Sequence, residues 1–119
     1  MAFVSGHLDL TPQELQEHYV PAMERAFLDG AAFVVGDARG ADRLAASWLA
    51  DRGAEVTVFH MLERPRFDPG PHLTQGGYTD DTSRDAAMTA ASTVDIAWVR
   101  PGRERSGTAK NLARRLRKA

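Results

Sequence analysis

The sequence predicts an α/β domain, a three-layer Rossmann-like sandwich around a four-stranded, mainly parallel sheet in the order 3-2-1-4. Three observations carry that prediction. Short β-branched and aromatic runs at residues 2–5, 32–36, 55–60 and 94–99 alternate with stretches of helical periodicity, and helices between successive strands favour parallel pairing. The run Phe33-Val34-Val35 ends in Gly36, Gly40 follows, and Ala41, Leu44, Ala45, Trp48 and Leu49 recur at helical spacing. That is a strand, a glycine turn and a helix, the unit that offers backbone N–H groups to an anion at a helix mouth. At 119 residues the chain is long enough for one core, so 1–119 reads as a single domain.

Residues 2–5 make the first strand and Gly6 to Leu10 a loop. Thr11-Pro12-Gln13-Glu14 then announces a helix: Thr11 caps, Pro12 suits the first position and Glu14 completes a capping box. Leu15, Tyr19, Val20, Met23 and Phe27 form its apolar stripe, Gly30 ends it, and Pro21 predicts a kink or break near 18–20. The strand 32–36, a helix over 40–52 closed by Gly53, and the strand 55–60 come next. Prolines and glycines punctuate 61–81, which has no periodicity and is expected to be a long loop, either a lid over a site or a plain surface loop. A short helix over 82–92 has small alanines for packing on the sheet. The strand 94–99, a second glycine turn over 101–107, and a helix over 108–117 with Leu112 and Leu116 facing inward complete the chain.

A 43% hydrophobic and 26% charged composition fits a globular protein in water, and no run approaches the roughly 18 apolar residues of a membrane span. The start, Met1-Ala-Phe-Val-Ser-Gly-His7, reads as a strand rather than a signal peptide; a cytoplasmic location is expected. Without cysteine there is no disulfide and no thiol nucleophile. His18, His60 and His72 lack metal-ligand spacing, so neither a metal nor a resident cofactor is expected. A net charge of −1 argues against gripping a long polyanion with the whole surface. The expected partner is a small phosphate-bearing molecule, with no membrane and no nucleic acid; a homodimer or larger homo-oligomer is compatible.

The carboxyl ends of parallel strands share one edge, so Ser5-Gly6-His7, Gly36 to Gly40 and Arg100 to Thr108 should converge there. Backbone N–H groups, the Ser106 and Thr108 hydroxyls and an arginine can together surround a phosphate. Neither glycine turn is a Walker A loop, and Gly36-x-x-x-Gly40 misses the dinucleotide fingerprint.

Gly36-Asp37-Ala38-Arg39-Gly40-Ala41-Asp42 resembles the Gly-Gly-Ala-Arg-Gly-Ala/Ile-Asp signature of the SLOG superfamily, which includes DprA DNA-processing proteins, Lonely Guy phosphoribohydrolases and small bacterial YspA-like proteins. Three further segments match in order: Ser5-Gly6-His7 with the turn after strand 1, Arg84-Asp85-Ala-Ala-Met88 with the segment opening the third helix, and Ser106-Gly107-Thr108 with the Gly-Gly-Thr turn. The small YspA-like branch is the most similar. The resemblance implies a nucleotide or nucleotide derivative at this edge; the two glycine turns, with no glutamate after Gly107-Thr108, favour a sensor without catalysis. In it Gly36, Arg39, Gly40 and Asp42 shape a phosphate turn, Arg84 reaches the ligand, and Gly107 and Thr108 hold phosphate. It also allows an alternative, a nucleoside 5′-monophosphate N-glycosidase, and a more distant one, single-stranded DNA binding. Two positions depart from the pattern. Asp37 replaces a glycine and would repel phosphate unless turned away or neutralised. Ala109-Lys110-Asn111 stands where the phosphoribohydrolases carry glutamates after Gly-Thr, one of them catalytic.

Several residues have two readings. Asp42 contacts a ribose hydroxyl or favours a helix N-terminus; Arg39 binds phosphate, pairs with Asp37 or is solvent-exposed; His7 is a general acid, a hydrogen-bond donor or a plain loop residue. Tyr78 stacks on a base or lies idle in the loop. Asp81 and Asp85, with Arg84, are the candidate catalytic set for N-glycosidic cleavage, which needs a carboxylate at an oxocarbenium-like centre; with Asp80 they alternatively cap a helix. Trp48 and Trp98 read as core. The basic residues from Arg103 to Lys118 read as a solvated face at a helix C-terminus rather than a nucleic-acid patch.

Overall fold

Alternate strand residues face opposite ways, and here that alternation sorts the apolar side chains into two clusters. Ala2, Val4, Phe33, Val35, Val56 and Val58 point to one face of the sheet, where they meet Leu15, Tyr19, Met23, Ala45 and Leu49. Phe3, Val34 and Phe59 point to the other and meet Met88. The computed structural model describes residues 1–118. In chain order the elements are β1 (Ala2–Val4), α1 (Pro12–His18), α2 (Val20–Leu28), β2 (Phe33–Val35), α3 (Ala41–Arg52), β3 (Val56–Met61), β4 (Leu73–Tyr78), α4 (Asp81–Ala91), β5 (Val94–Ile96) and α5 (Gly107–Lys118). Helices α1 to α3 cover the first face. α4 covers the second, and α5 packs beside α4 and β5.

The sheet is parallel throughout, but it has five strands in the order β4-β3-β2-β1-β5. The expected four strands and their order are preserved inside it. The correction is β4, which lies within the segment expected to be a loop. Its sequence, Leu-Thr-Gln-Gly-Gly-Tyr, has little β propensity and no buried face; it is an edge strand held by main-chain pairing to β3, with a register irregularity between Phe59 and Met61. Gly76 is required there because a Cβ would collide with the His60 ring. The helix break at Pro21 occurs where expected, α1 ending at His18 and α2 starting at Val20. The capping box of Thr11 and Glu14 forms, and the Arg100 guanidinium holds the Glu14 carboxyl down at about 2. β5 stops at Ile96, short of the expected residue 99, so Trp98 is half-buried, stacked on His18 with ring centroids 3.9 Å apart.

Tyr19 sits at the break between α1 and α2 and is fully buried. Its hydroxyl donates to the Ser5 carbonyl (2.8 Å) and accepts from the Trp98 N–H (3.1 Å), tying the helix break to the ends of β1 and β5. Burial pushes its pKa up to about 12. Tyr19→Phe keeps the ring and removes both bonds, so it is expected to cost about 1–3 kcal/mol; urea unfolding measures this, and an unchanged midpoint would contradict it.

Candidate functional site

The carboxyl edge of the sheet opens into a cavity of about 660 Å³, and the two turns named from the sequence meet in it. The first arrives through the loop after β1. Gly40 has φ +75°, and a Cβ there would run into the His7 and Leu8 carbonyls. Because that side is bare, the Ala41 N–H reaches the His7 carbonyl at 3.1 Å and staples the loop to the mouth of α3. The second turn is the start of α5. Ser106 Oγ accepts from the Ala109 N–H (3.2 Å) and caps the helix, leaving the Gly107 and Thr108 N–H groups without an acceptor among the described residues. A helix mouth with free N–H groups favours an anion.

Ser5, Gly6, His7, Asp42, Asp81, Arg84 and Asp85 line the cavity together with Ser106, Gly107 and Thr108. His7 is buried, and its Nε2 accepts from the Arg100 N–H at 2.8 Å, which assigns the proton of the neutral ring to Nδ1. Burial, assisted by Arg103 and Arg100, lowers its pKa, so it faces the cavity as a neutral donor. Ser5 Oγ is buried with no partner among the described residues.

The floor is acidic around one guanidinium. Arg84, 5% exposed, donates to Asp37 (2.7 Å) and Asp85 (3.1 and 3.2 Å) and lies 3.2 Å from Asp81. Burial alone would lower its pKa, but Asp85, Asp42 and Asp37 more than reverse that. Burial raises the pKa of Asp85, only partly offset by Arg84 and a hydrogen bond with Asn111. Asp42 lies deepest. Burial lifts its pKa to about 7 against the pull of Arg84 and of the Ala38 N–H, which its Oδ2 accepts at 3.1 Å. Asp42 is why Gly36 is a glycine: a Cβ there would collide with Asp42 Oδ2 and crowd Arg84. With so many carboxylates around it, Arg84 carries little net charge for a phosphate and acts as the counterion of the floor.

Other expected site residues lie elsewhere. Asp37 does not line the large cavity. Its side chain is 0% exposed and accepts from Arg84, from Arg66 through Nε (3.1 Å), Nη2 (2.9 Å) and the backbone N–H (3.2 Å), and from the Met61 N–H (3.4 Å). Burial opposes its charge, but these arginine hydrogen bonds outweigh it and keep its pKa below the usual value. Asp37 is therefore no phosphate ligand; the carboxylate that breaks the sequence pattern is neutralised by two arginines. Arg39 lines a separate cavity of about 270 Å³. Tyr78 stacks on Phe59, centroids 6.0 Å apart, and its hydroxyl accepts from Gln75 at 2.8 Å, so it is turned away from the large cavity. Asp80 caps α4 through the Ser83 N–H at 2.7 Å, whereas Asp81 and Asp85 face the cavity.

Sequence reasoning missed Arg66 and named Asn111 only as a departure from the resemblance; Arg103 and Arg105 lie in the segment it placed at this edge, although their side chains read as part of a solvated face. Asn111 had a signal: it follows Gly107 by four residues, so it shares that helix face. It is buried, and its Oδ1 accepts from Arg114 at 2.7 Å. The basic segment is also not a uniform solvated face. Arg115 ties α5 to the Thr89 and Ser92 carbonyls and to Asp95, while Arg103 and Arg105 stand at the cavity rim. Among the described residues no cluster of three or more His, Cys, Asp or Glu could hold a metal ion, and no helix is long and apolar enough to cross a membrane. Comparisons of the chain with protein-family models, with curated proteins and with solved structures find no match.

Proposed function

We propose that the chain binds a nucleotide or nucleotide derivative in the large cavity, its phosphate at the start of α5 and its ribose on the acidic floor. The observation that carries this reading is the polarity of the cavity. Its lining combines the Gly107 and Thr108 N–H groups, which have no acceptor among the described residues, and Arg103 and Arg105 with the carboxyls of Asp42 and Asp85 and the Asn111 carboxamide. Guanidinium and N–H donors suit phosphate oxygens, while carboxylates and a carboxamide accept from and donate to sugar hydroxyls. Phe3 and Met88 supply an apolar wall for a base. The resemblance to the SLOG superfamily supports nucleotide binding, and Ala109-Lys110-Asn111 in place of the glutamates after Gly-Thr favours a sensor-like role in which no bond is cleaved. Calorimetric titration with nucleoside mono- and diphosphates, ADP-ribose and NAD tests it. At least one is expected to bind, and Thr108→Val to weaken it several-fold; no binding of any at millimolar concentration would overturn the proposal.

A second reading, N-glycosidic cleavage of a nucleoside 5′-monophosphate, is favoured by one feature. Two cavity carboxyls, Asp42 and Asp85, are pushed toward the protonated form, as a proton donor to a leaving base requires. Release of free base that disappears in Asp85→Asn would support it, and no release from any nucleotide would exclude it. Single-stranded DNA binding loses support because Arg114 and Arg115 are engaged internally.

A further inference from the structure

The smaller cavity, of about 270 Å³, lies at the mouth of α3 and is lined by three arginines, Arg39, Arg43 and Arg66. Asp37 also lines it, but that carboxylate is fully buried and already saturated by Arg66, Arg84 and two backbone N–H groups. Arg39 and Arg43 have neither an ion pair nor a side-chain hydrogen bond among the described residues. The helix behind them runs twelve residues, and its cap, Gly40, offers no side-chain acceptor to the first turn. Two exposed guanidiniums with no partner among the described residues give this cavity a positive potential. Its remaining walls include Leu8 and Phe67, the first half-exposed and the second packed against the core.

The two cavities are continuous in their walls. Leu8, Ala38 and Arg66 belong to both, whereas the α5 turn belongs only to the larger and Arg39 and Arg43 only to the smaller. We propose that Arg39 and Arg43 form a second anion subsite, and that the natural ligand is a nucleotide carrying a second phosphoryl group. Arg66 stands between the subsites, its Nη2 and Nε turned to Asp37, and its position is thereby fixed before any ligand arrives. Leu8 and Phe67 give the second half of the ligand an apolar surface.

The proposal rests on the larger cavity being the primary phosphate site, and one titration series separates the two. Adenosine 5′-monophosphate reads the primary site. Adenosine 3′,5′-bisphosphate and the 5′-phosphorylated dinucleotide pApA add a second phosphoryl group at a short and a longer spacing. At fixed ionic strength, one of the last two is expected to bind the native chain roughly ten-fold or more tightly than the monophosphate. The Arg39→Gln/Arg43→Gln double variant is expected to lose that gain while binding the monophosphate as before. Arg25→Gln, on the exposed surface of α2, controls for net charge and should lose nothing. If the double variant is poorly folded, Arg43→Gln alone decides, with a partial loss expected. Monophosphate binding with no gain from either bisphosphate, or a gain that survives the arginine substitutions, overturns the second subsite and leaves the first intact. Failure of these three probes and of the whole nucleotide panel above to bind the native chain overturns both.

Discussion

Replacing Asp42 with asparagine is expected to stabilise the protein strongly at pH 8 and hardly at all at pH 4. Asp42 ionises at about 7 in the folded chain, against an ordinary value of 3.8, because burial disfavours its charge. A carboxyl whose pKa is raised by folding binds a proton more tightly in the folded state, so stability falls as pH rises from the unfolded pKa to the folded one. Below about 4 both states are protonated and Asp42 contributes no penalty. Above about 7 both are ionised, and the difference corresponds to about 4 kcal/mol. Asparagine never ionises, and its Oδ1 can take over the Ala38 N–H that Asp42 Oδ2 accepts. His7, with its pKa lowered, and Asp85, with its pKa raised, also tilt the stability curve. Their contributions cancel to a first approximation when the variant is compared with the parent at each pH. Urea unfolding of both proteins between pH 4 and 8 should therefore give curves that diverge progressively between about pH 4 and 7. Parallel curves would show that Asp42 stays charged through that range.

That proton also decides what Asp42 can offer a ligand. At neutral pH a large fraction of the side chain is a carboxylic acid, able to donate to a sugar oxygen or a base as well as to accept. The sequence showed Asp42 only as an acid in the first turn of a helix, where a charged carboxylate is the ordinary expectation. Its depth behind Gly36, and the crowd of Asp37, Asp85 and Arg84 around it, arise from tertiary packing that no local pattern encodes. Four strands, the four expected helices and the disruption of the first at Pro21 were legible because each leaves a local mark, in periodicity, capping residues or a missing N–H. β4 left none: Thr74, Gln75, Gly76 and Gly77 have no alternation to read, and the strand exists through pairing to β3. The same blind spot hid Arg66. It lies in the unpatterned run between β3 and β4, and its partner Asp37 is distant in sequence. The turns at Ser5–His7 and Ser106–Thr108 were legible as one site because strand direction alone places them on one edge.

Asp37 is where losing a single side chain should cost most. Five donor groups converge on its two oxygens, from Arg84, Met61 and three positions on Arg66. Asp37→Ala leaves the nearly buried Arg84 with only Asp81 and Asp85, and releases the segment from Leu62 to His72 at its middle. Removing one partner of a buried ion pair costs about 3–5 kcal/mol, since the remaining charge stays desolvated. Arg66→Ala should cost far less, about 1 kcal/mol or under, because Arg66 is half-exposed and its ion pair is screened by solvent. The two variants should nevertheless share one signature. Both loosen the crossover from β3 to β4: Asp37→Ala leaves its middle held by the 2.8 Å contact of His72 Nε2 with the Ala46 carbonyl and the packing of Phe67 against the core, and Arg66→Ala keeps in addition the residue-66 backbone N–H on Asp37. Under native conditions Asp37→Ala should be cut by trypsin after Arg66 much faster than the parent, and chymotrypsin after Phe67 reads the same opening in Arg66→Ala. Acid adds a third check. The folded pKa of Asp37 is depressed, so its stabilisation is complete above about pH 4 and is lost as the pH falls through the folded value. Asp37→Ala should therefore flatten the acid limb of the unfolding curve as well as lower its plateau. A variant with an unchanged acid limb and slow cleavage would show that the crossover is held by its other contacts, and that the carboxylate in the glycine turn has some task other than pinning two arginines.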